Sequence, residues 1–131
     1  MSIQSELLSV IVLDDDVDTR FAIGRILSKC GCDVVEADTV EKTLELLSEQ
    51  PTQVIFSDVR IPGAAGGVEL LEQVRQSYAD VHVVLMSCAM DQKLRSELTA
   101  KGAAACLQKP FFKDDCLPLV EHFQNPLQKS A

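Results

Sequence analysis

The stretch Val10–Arg20, VIVLDDDVDTR, sets an unbroken apolar run directly against three consecutive aspartates, Asp14, Asp15 and Asp16. An apolar run without alternation suits a strand covered on both faces, as in a parallel sheet. Carboxylates gathered where such a strand leaves the core repel one another. At ~4 Å and an effective dielectric of about 20, each pair costs on the order of 4 kcal/mol. Either the side chains splay into water or a cation sits among them, and the remainder of the chain decides between the two.

Similar short runs recur at LLSVIVL (7–13), DVVEA (33–37), QVIFS (53–57), VHVVLMS (81–87) and AACLQ (104–108). Helical patterns separate them. Val17 to Cys30 carries Phe21, Ile23, Ile26 and Leu27 and stops at Gly31, a favourable residue just past a helix end. Asp38 followed by Glu41 predicts the start of a second helix, with Val40, Leu44 and Leu47 along one face. Val68, Leu71, Val74 and Tyr78 mark a third, and Met90, Leu94 and Leu98 a narrower fourth. Cys116, Leu119, Val120, Phe123 and Leu127 form the face of a fifth, in which Pro118 predicts a late start between Asp114 and Leu117 or a kink.

Five strand-helix units in succession imply an α/β fold, a parallel sheet with right-handed crossovers and helices on both faces. Five are too few for an eightfold barrel. An open, doubly wound sheet remains, and such sheets bind ligands at the carboxyl ends of their strands.

The 131 residues are 47% hydrophobic and 24% charged, the size and composition of one globular domain. A net charge of -8 argues against direct nucleic-acid binding, which needs clustered Lys and Arg. No apolar run approaches the ~20 residues of a membrane span, and the N-terminal MSIQSELLSV lacks a signal-type pattern, so a cytoplasmic protein without a membrane anchor is expected. Cys30, Cys32, Cys88, Cys106 and Cys116 lack zinc-type spacing and read mostly as buried small hydrophobes in a reducing compartment. His82 at a strand start and His122 on the outer face of the last helix read as structural.

The strand ends collect the chemistry: Asp14-Asp15-Asp16, then Ser57-Asp58, Ser87-Cys88 and Lys109-Pro110. Carboxylate oxygens with water suit a hard cation such as octahedral Mg²⁺. A lysine ammonium and a serine hydroxyl are what a transferring phosphoryl group needs on its oxygens. Asp58 is the natural nucleophile among them.

Together VIVLDDD, VIFSDVRIPG, VVLMS and LQKPF resemble the receiver domain of bacterial two-component response regulators, over roughly residues 7 to 125. The resemblance implies a flavodoxin-like (βα)5 domain with strand order 2-1-3-4-5 and a single receiver domain over 1–131, with 126–131 as a short tail. It implies phosphoryl transfer from a sensor histidine kinase, or a histidine phosphotransfer domain, onto Asp58. Mg²⁺ (or Mn²⁺) would be held by Asp15 directly, Asp14 through water, Asp58, and the backbone carbonyl of Arg60. Ser87 matches the switch hydroxyl. Lys109 matches the lysine that pairs with Asp58 at rest and with the phosphoryl group afterwards, and its bond to Pro110 matches one that is cis in this family. Asp16 reads instead as a first-turn or N-cap residue of the first helix. The domain would assist its own phosphorylation without turning over a separate substrate, and signal to a downstream effector through the helix 4–strand 5–helix 5 face.

Two departures stand out. The position that usually holds an aromatic ring, three before the lysine, is Cys106, so the aromatic half of the switch is missing or replaced. The loop RIPGAAGGVEL lacks the usual acidic residue, and its Gly63, Gly66 and Gly67 read as a flexible turn rather than a phosphate cradle. Arg60, two residues past Asp58, either contacts or shields a phosphoryl group or is a solvated surface arginine. The readings set against the receiver are a phosphorylation-independent interaction domain of the same fold, favoured by Cys106, and a flavodoxin-like cofactor binder or small hydrolase. The last would need a phosphate-binding loop where the aspartates stand.

Overall fold

The apolar runs become strands within a residue of where the pattern puts them. The computed structural model describes residues 7–61 and 66–124. Its elements are β1 (Leu8–Leu13), α1 (Val17–Lys29), β2 (Cys32–Ala37), α2 (Val40–Glu49), β3 (Val54–Asp58), α3 (Gly67–Ser77), β4 (His82–Ser87), α4 (Gln92–Ala100), β5 (Ala105–Gln108) and α5 (Lys113–Gln124). All neighbouring strands pair in parallel, in the order β2-β1-β3-β4-β5. This is the expected doubly wound sheet.

Period-two alternation divides the core. Val10, Val12, Val54, Phe56, Val84 and Met86 face a cluster with α1 and α5, built on Ile23, Leu27, Val120 and Phe123. Ile11, Leu13, Ile55, Val83 and Leu85 face the opposite cluster with Val40, Leu47, Leu70, Leu71 and Leu98 of α2, α3 and α4. In β3, Ile55 and Phe56 are both fully buried on opposite faces, each worth roughly 2–3 kcal/mol of apolar burial. A strand buried on both faces cannot alternate polar and apolar residues, hence the unbroken runs.

The helix ends refine three expectations. The cap of α2 is Thr39, not Asp38. Its extended backbone (φ -138, ψ 160) lets Oγ1 accept the Lys42 N–H at 3.0 Å, and starting one residue later buries Val40. Helix α4 is capped by Asp91, whose Oδ1 accepts the Leu94 N–H at 2.8 Å, so Met90 packs ahead of the helix rather than within it. Helix α5 does not start late. It opens at Lys113, where the Phe112 N–H donates to Asp115 Oδ2 at 2.8 Å, and runs on past Pro118. The donor that Pro118 lacks would have served the carbonyl of Asp114, an exposed residue that water can satisfy, so the break is tolerated. Gly31, with φ +96, ends α1 as expected.

Of the glycines read as a turn, Gly66 caps α3 and Gly67 is its first residue, with the Gly66 N–H donating to Glu69 Oε1 at 3.1 Å. Gly63, Leu127 and the tail 126–131 lie outside the described residues. His82 opens β4 and stacks on Phe123, with ring centroids 4.8 Å apart, while exposed His122 meets the same ring edge-on. Among the described residues no helix is long and apolar enough to cross a membrane.

Candidate functional site

Strand β1 delivers Asp14 to the edge of the sheet, where its N–H donates to the Ala37 carbonyl at 3.2 Å and so continues the β1–β2 ladder for one more bond. The side chain is buried, at 1% exposure, and both oxygens are engaged. Oδ1 accepts the Asp16 N–H at 3.0 Å and Oδ2 accepts from Lys109 Nζ at 2.7 Å. Arg20 fixes the same residue from behind, Nη1 donating to the Asp14 carbonyl at 2.8 Å while Nε pairs with Glu36. Asp15, next along the chain, is exposed.

Asp16 has turned away to cap α1. Its Oδ2 accepts from the Thr19 hydroxyl at 2.5 Å and the Thr19 N–H at 2.8 Å, and these two bonds hold its carboxyl below the usual range. The run of three aspartates is thus two site carboxylates and one helix cap.

Asp58 is the last residue of β3. Its Oδ1 accepts the Arg60 N–H at 3.1 Å and its Oδ2 accepts from Lys109 Nζ at 3.0 Å. Lys109 follows β5, anchored by its N–H to the Ser87 carbonyl at 2.8 Å, and its ammonium bridges Asp14 and Asp58. Burial works against that charge, but the hydrogen bonds and negative charges of Asp14 and Asp58 outweigh it and hold the ammonium above the usual lysine value.

One oxygen each from Asp14, Asp15 and Asp58 lies within 4.8 Å of the others. In an octahedral shell with ~2.1 Å bonds, ligand oxygens stand about 3 to 4 Å apart, so this all-oxygen set is close to the spacing that one Mg²⁺ needs. The donor chemistry fits a hard divalent cation. Arg60 lies beside this set through its backbone N–H, and its side chain is exposed.

Ser87 ends β4 in register with Gln108, one residue from Lys109. Its hydroxyl oxygen accepts the Ala89 N–H at 3.0 Å and so is engaged with its own loop. Cys106 is buried in β5. Its carbonyl accepts from Arg95 Nη1 at 2.6 Å, which ties α4 to the edge strand, and burial pushes its thiol pKa up.

Two residues escape a reading of the sequence. Gly67 packs so closely under the Asp58 carbonyl that no Cβ fits, a requirement hidden inside a turn-like Gly-Gly pair. Gln108 joins the loop after β4 to the Lys109 peptide; the available signal was a polar residue at a strand end, directly before the lysine.

Comparison with known proteins places the chain in a family. Residues 10–121 match the response regulator receiver domain. The DNA-binding transcriptional regulator NtrC of Escherichia coli (strain K12) is 32% identical over 123 residues, covering 91% of this chain and 26% of that protein. The transcriptional regulatory protein FixJ of Bradyrhizobium diazoefficiens is 30% identical over 86% of this chain and 54% of its own length. This chain therefore spans about a quarter of the first of these relatives and about half of the second. A crystal structure of a response regulator from Thermotoga maritima superposes with a TM-score of 0.79 at 26% identity, over 89% of this chain and 97% of that one. A CheY-like receiver domain from Methanospirillum hungatei, with a TM-score of 0.82 at 21% identity, shares the fold.

Proposed function

From a chain that belongs to the response regulator receiver domain family of two-component signal transduction, we propose a phosphoacceptor switch that takes its phosphoryl group onto Asp58. The observation that carries this reading is the ammonium of Lys109 held between Asp14 and Asp58, with Asp15 in reach of both carboxylates.

In the proposed reaction an Asp58 carboxylate oxygen attacks the phosphorus of a phosphohistidine. The P–O bond forms as the P–N bond breaks, and the imidazole leaves with a proton from water. Asp15, Asp58 and the Arg60 carbonyl, with Asp14 through water, would hold Mg²⁺, which would supply positive charge against the oxygens of the incoming group. Lys109 then pairs with a phosphoryl oxygen, and the Ser87 hydroxyl turns from Ala89 to donate to another. The new charge of about -1.5 to -2 biases the loops after β4 and β5 between two arrangements. Residues 1–131 act as one receiver domain, and hydrolysis of the adduct returns it to rest.

The donor is a sensor histidine kinase or a phosphotransfer domain. Its approach is open on the side where Thr19, Ala22, Ile26 and Phe111 line an apolar groove of about 410 Å³ that reaches Lys109. Output passes through the α4–β5–α5 face to an effector, and this chain itself makes no contact with nucleic acid.

Intact mass after incubation with acetyl phosphate, with and without Mg²⁺ and beside Asp58→Asn, tests the reading. One phosphoryl added only with both Mg²⁺ and Asp58 is expected. Binding of neither Mg²⁺ nor phosphoryl would overturn it in favour of a phosphorylation-independent interaction domain, the reading that Cys106 favours.

A further inference from the structure

Gln108, the last residue of β5, spends its carboxamide entirely on backbone. Its Oε1 accepts the Met90 N–H at 2.9 Å, and its Nε2 donates to the carbonyls of Cys88 and Lys109, each at 2.7 Å. Reversing the amide would set NH₂ against the Met90 N–H and oxygen against two carbonyls, so only one orientation is chemically consistent. Two segments meet at this side chain: the loop that follows Ser87, and the peptide of the lysine that bridges Asp14 and Asp58.

Three side-chain hydrogen bonds tie the loop. Ser87 Oγ accepts the Ala89 N–H, and Gln108 holds the residues on either side of Ala89. When the Ser87 hydroxyl turns to donate to a phosphoryl oxygen, Ala89 loses its acceptor. The loop would then follow Ser87 inward, except that Cys88 and Met90 remain fastened to the end of β5. Cys106, at the position where the resemblance expects a ring, is a small side chain whose carbonyl is already held by Arg95. Beyond the backbone bond from the Lys109 N–H to the Ser87 carbonyl, the side-chain connection between the moving loop and β5 therefore runs through an amide.

We infer that Gln108 is a resting-state latch, a positioning residue whose carboxamide holds the Ser87–Met90 loop away from the phosphoryl-bound arrangement. The inference rests on the proposed acceptance of a phosphoryl group by Asp58. A contact made in only one of two arrangements biases the equilibrium by its own free energy. Losing it raises the population of the competent arrangement and tightens binding of anything that selects it.

The test uses the full chain with Mg²⁺ and beryllofluoride, which mimics a phosphoryl group on an aspartate, followed by amide NMR. Gln108→Met and Gln108→Ala are expected to bind beryllofluoride about fivefold more tightly than the parent. In both, the Met90 amide should already be displaced at rest along the line towards its beryllofluoride-bound position. That displacement separates a latch from a merely structural contact, whose loss would scatter signals without direction. Gln108 is exposed, so both variants are expected to fold, and a melting curve verifies this. Unchanged or weaker binding in a folded variant, or an undisplaced Met90 amide, overturns the latch. Failure of the parent chain to bind beryllofluoride, or equal binding by Asp58→Asn, refutes the phosphoacceptor reading, and the latch falls with it.

Discussion

Replacing Gly67 with alanine should damage both stability and the site. A Cβ at this position would overlap the Asp58 carbonyl oxygen and lie 3.1 Å from Val59 Cα and 3.2 Å from the Asp58 carbonyl carbon. All three are backbone atoms, so no side chain can swing aside. Ordinarily Gly→Ala in a helix gains up to about 1 kcal/mol. Overpacking costs about 1–3 kcal/mol, and here it must displace the end of β3 itself. A net loss of roughly 1–2 kcal/mol follows, which at urea slopes of about 1–3 kcal/mol per molar lowers the unfolding midpoint by about 0.3–2 M. Because the displaced residue carries the proposed phosphoacceptor, adduct formation from acetyl phosphate should slow by about tenfold, given how steeply rate depends on placement. Gly66→Ala is the control. Its Cβ would meet only the Val59 carbonyl oxygen at 3.4 Å, an ordinary contact, so it loses no more than a modest cap preference. Equal midpoints for Gly67→Ala and the parent, or a larger loss at Gly66, would refute the packing argument.

Lys109→Met leaves Asp14 buried without its cation. In chelator the variant should lose about 3 kcal/mol of stability, and millimolar Mg²⁺ should restore part of it; equal losses by chemical denaturation in both conditions would contradict the shared-site geometry. Native protein should expose one thiol to Ellman's reagent, Cys88, because the other four are buried. A second fast thiol would contradict that. Burial pushes the thiols of Cys32 and Cys116 up to about 12 from 9.0. The folded state therefore keeps protons that the unfolded chain releases, so this contribution is whole below pH 9.0 and declines from there towards about 12. By pH ~10.5 each thiol should have cost about 1–2 kcal/mol. Cys116→Ala should flatten that limb of the stability profile, and an unchanged slope in pH-dependent denaturation would count against it.

The sheet was legible because burial on both faces leaves a trace: the short β-branched runs at Val10 to Leu13 and Val54 to Phe56, set between helical patterns, read as central strands. The site carboxylates and Lys109 were legible for a related reason, since strand ends converge in this topology wherever the intervening helices lie. Cap identity was less so. Asp38 and Thr39 are both good caps, and what decides between them is whether Val40 is buried, a tertiary fact. The reach of Gln108 to Cys88 and Met90, across 20 and 18 residues of sequence, has no local signature at all. Nor does the contact between Gly67 and Asp58, because a glycine demanded by close approach looks like one demanded by a turn.

The unequal burial of Asp14 and Asp15 gives the adjacent pair its proposed division of labour. Asp14 is enclosed, with one oxygen on the Asp16 N–H and the other on Lys109, so it can present charge but cannot swing. Asp15 is exposed and can rotate onto an incoming cation. Three carboxylates and one ammonium leave the resting cluster short of two positive charges, which one divalent cation would supply. Adding a phosphoryl group to Asp58, as proposed, would break that balance, and Lys109 is a charge already in contact with that carboxylate. In the proposed switch the ammonium would trade Asp58 for a phosphoryl oxygen while Asp14 keeps its base in place. The Lys109 peptide is joined by Gln108 to the loop that follows Ser87, so the proposed movement of that loop requires this amide contact to give way.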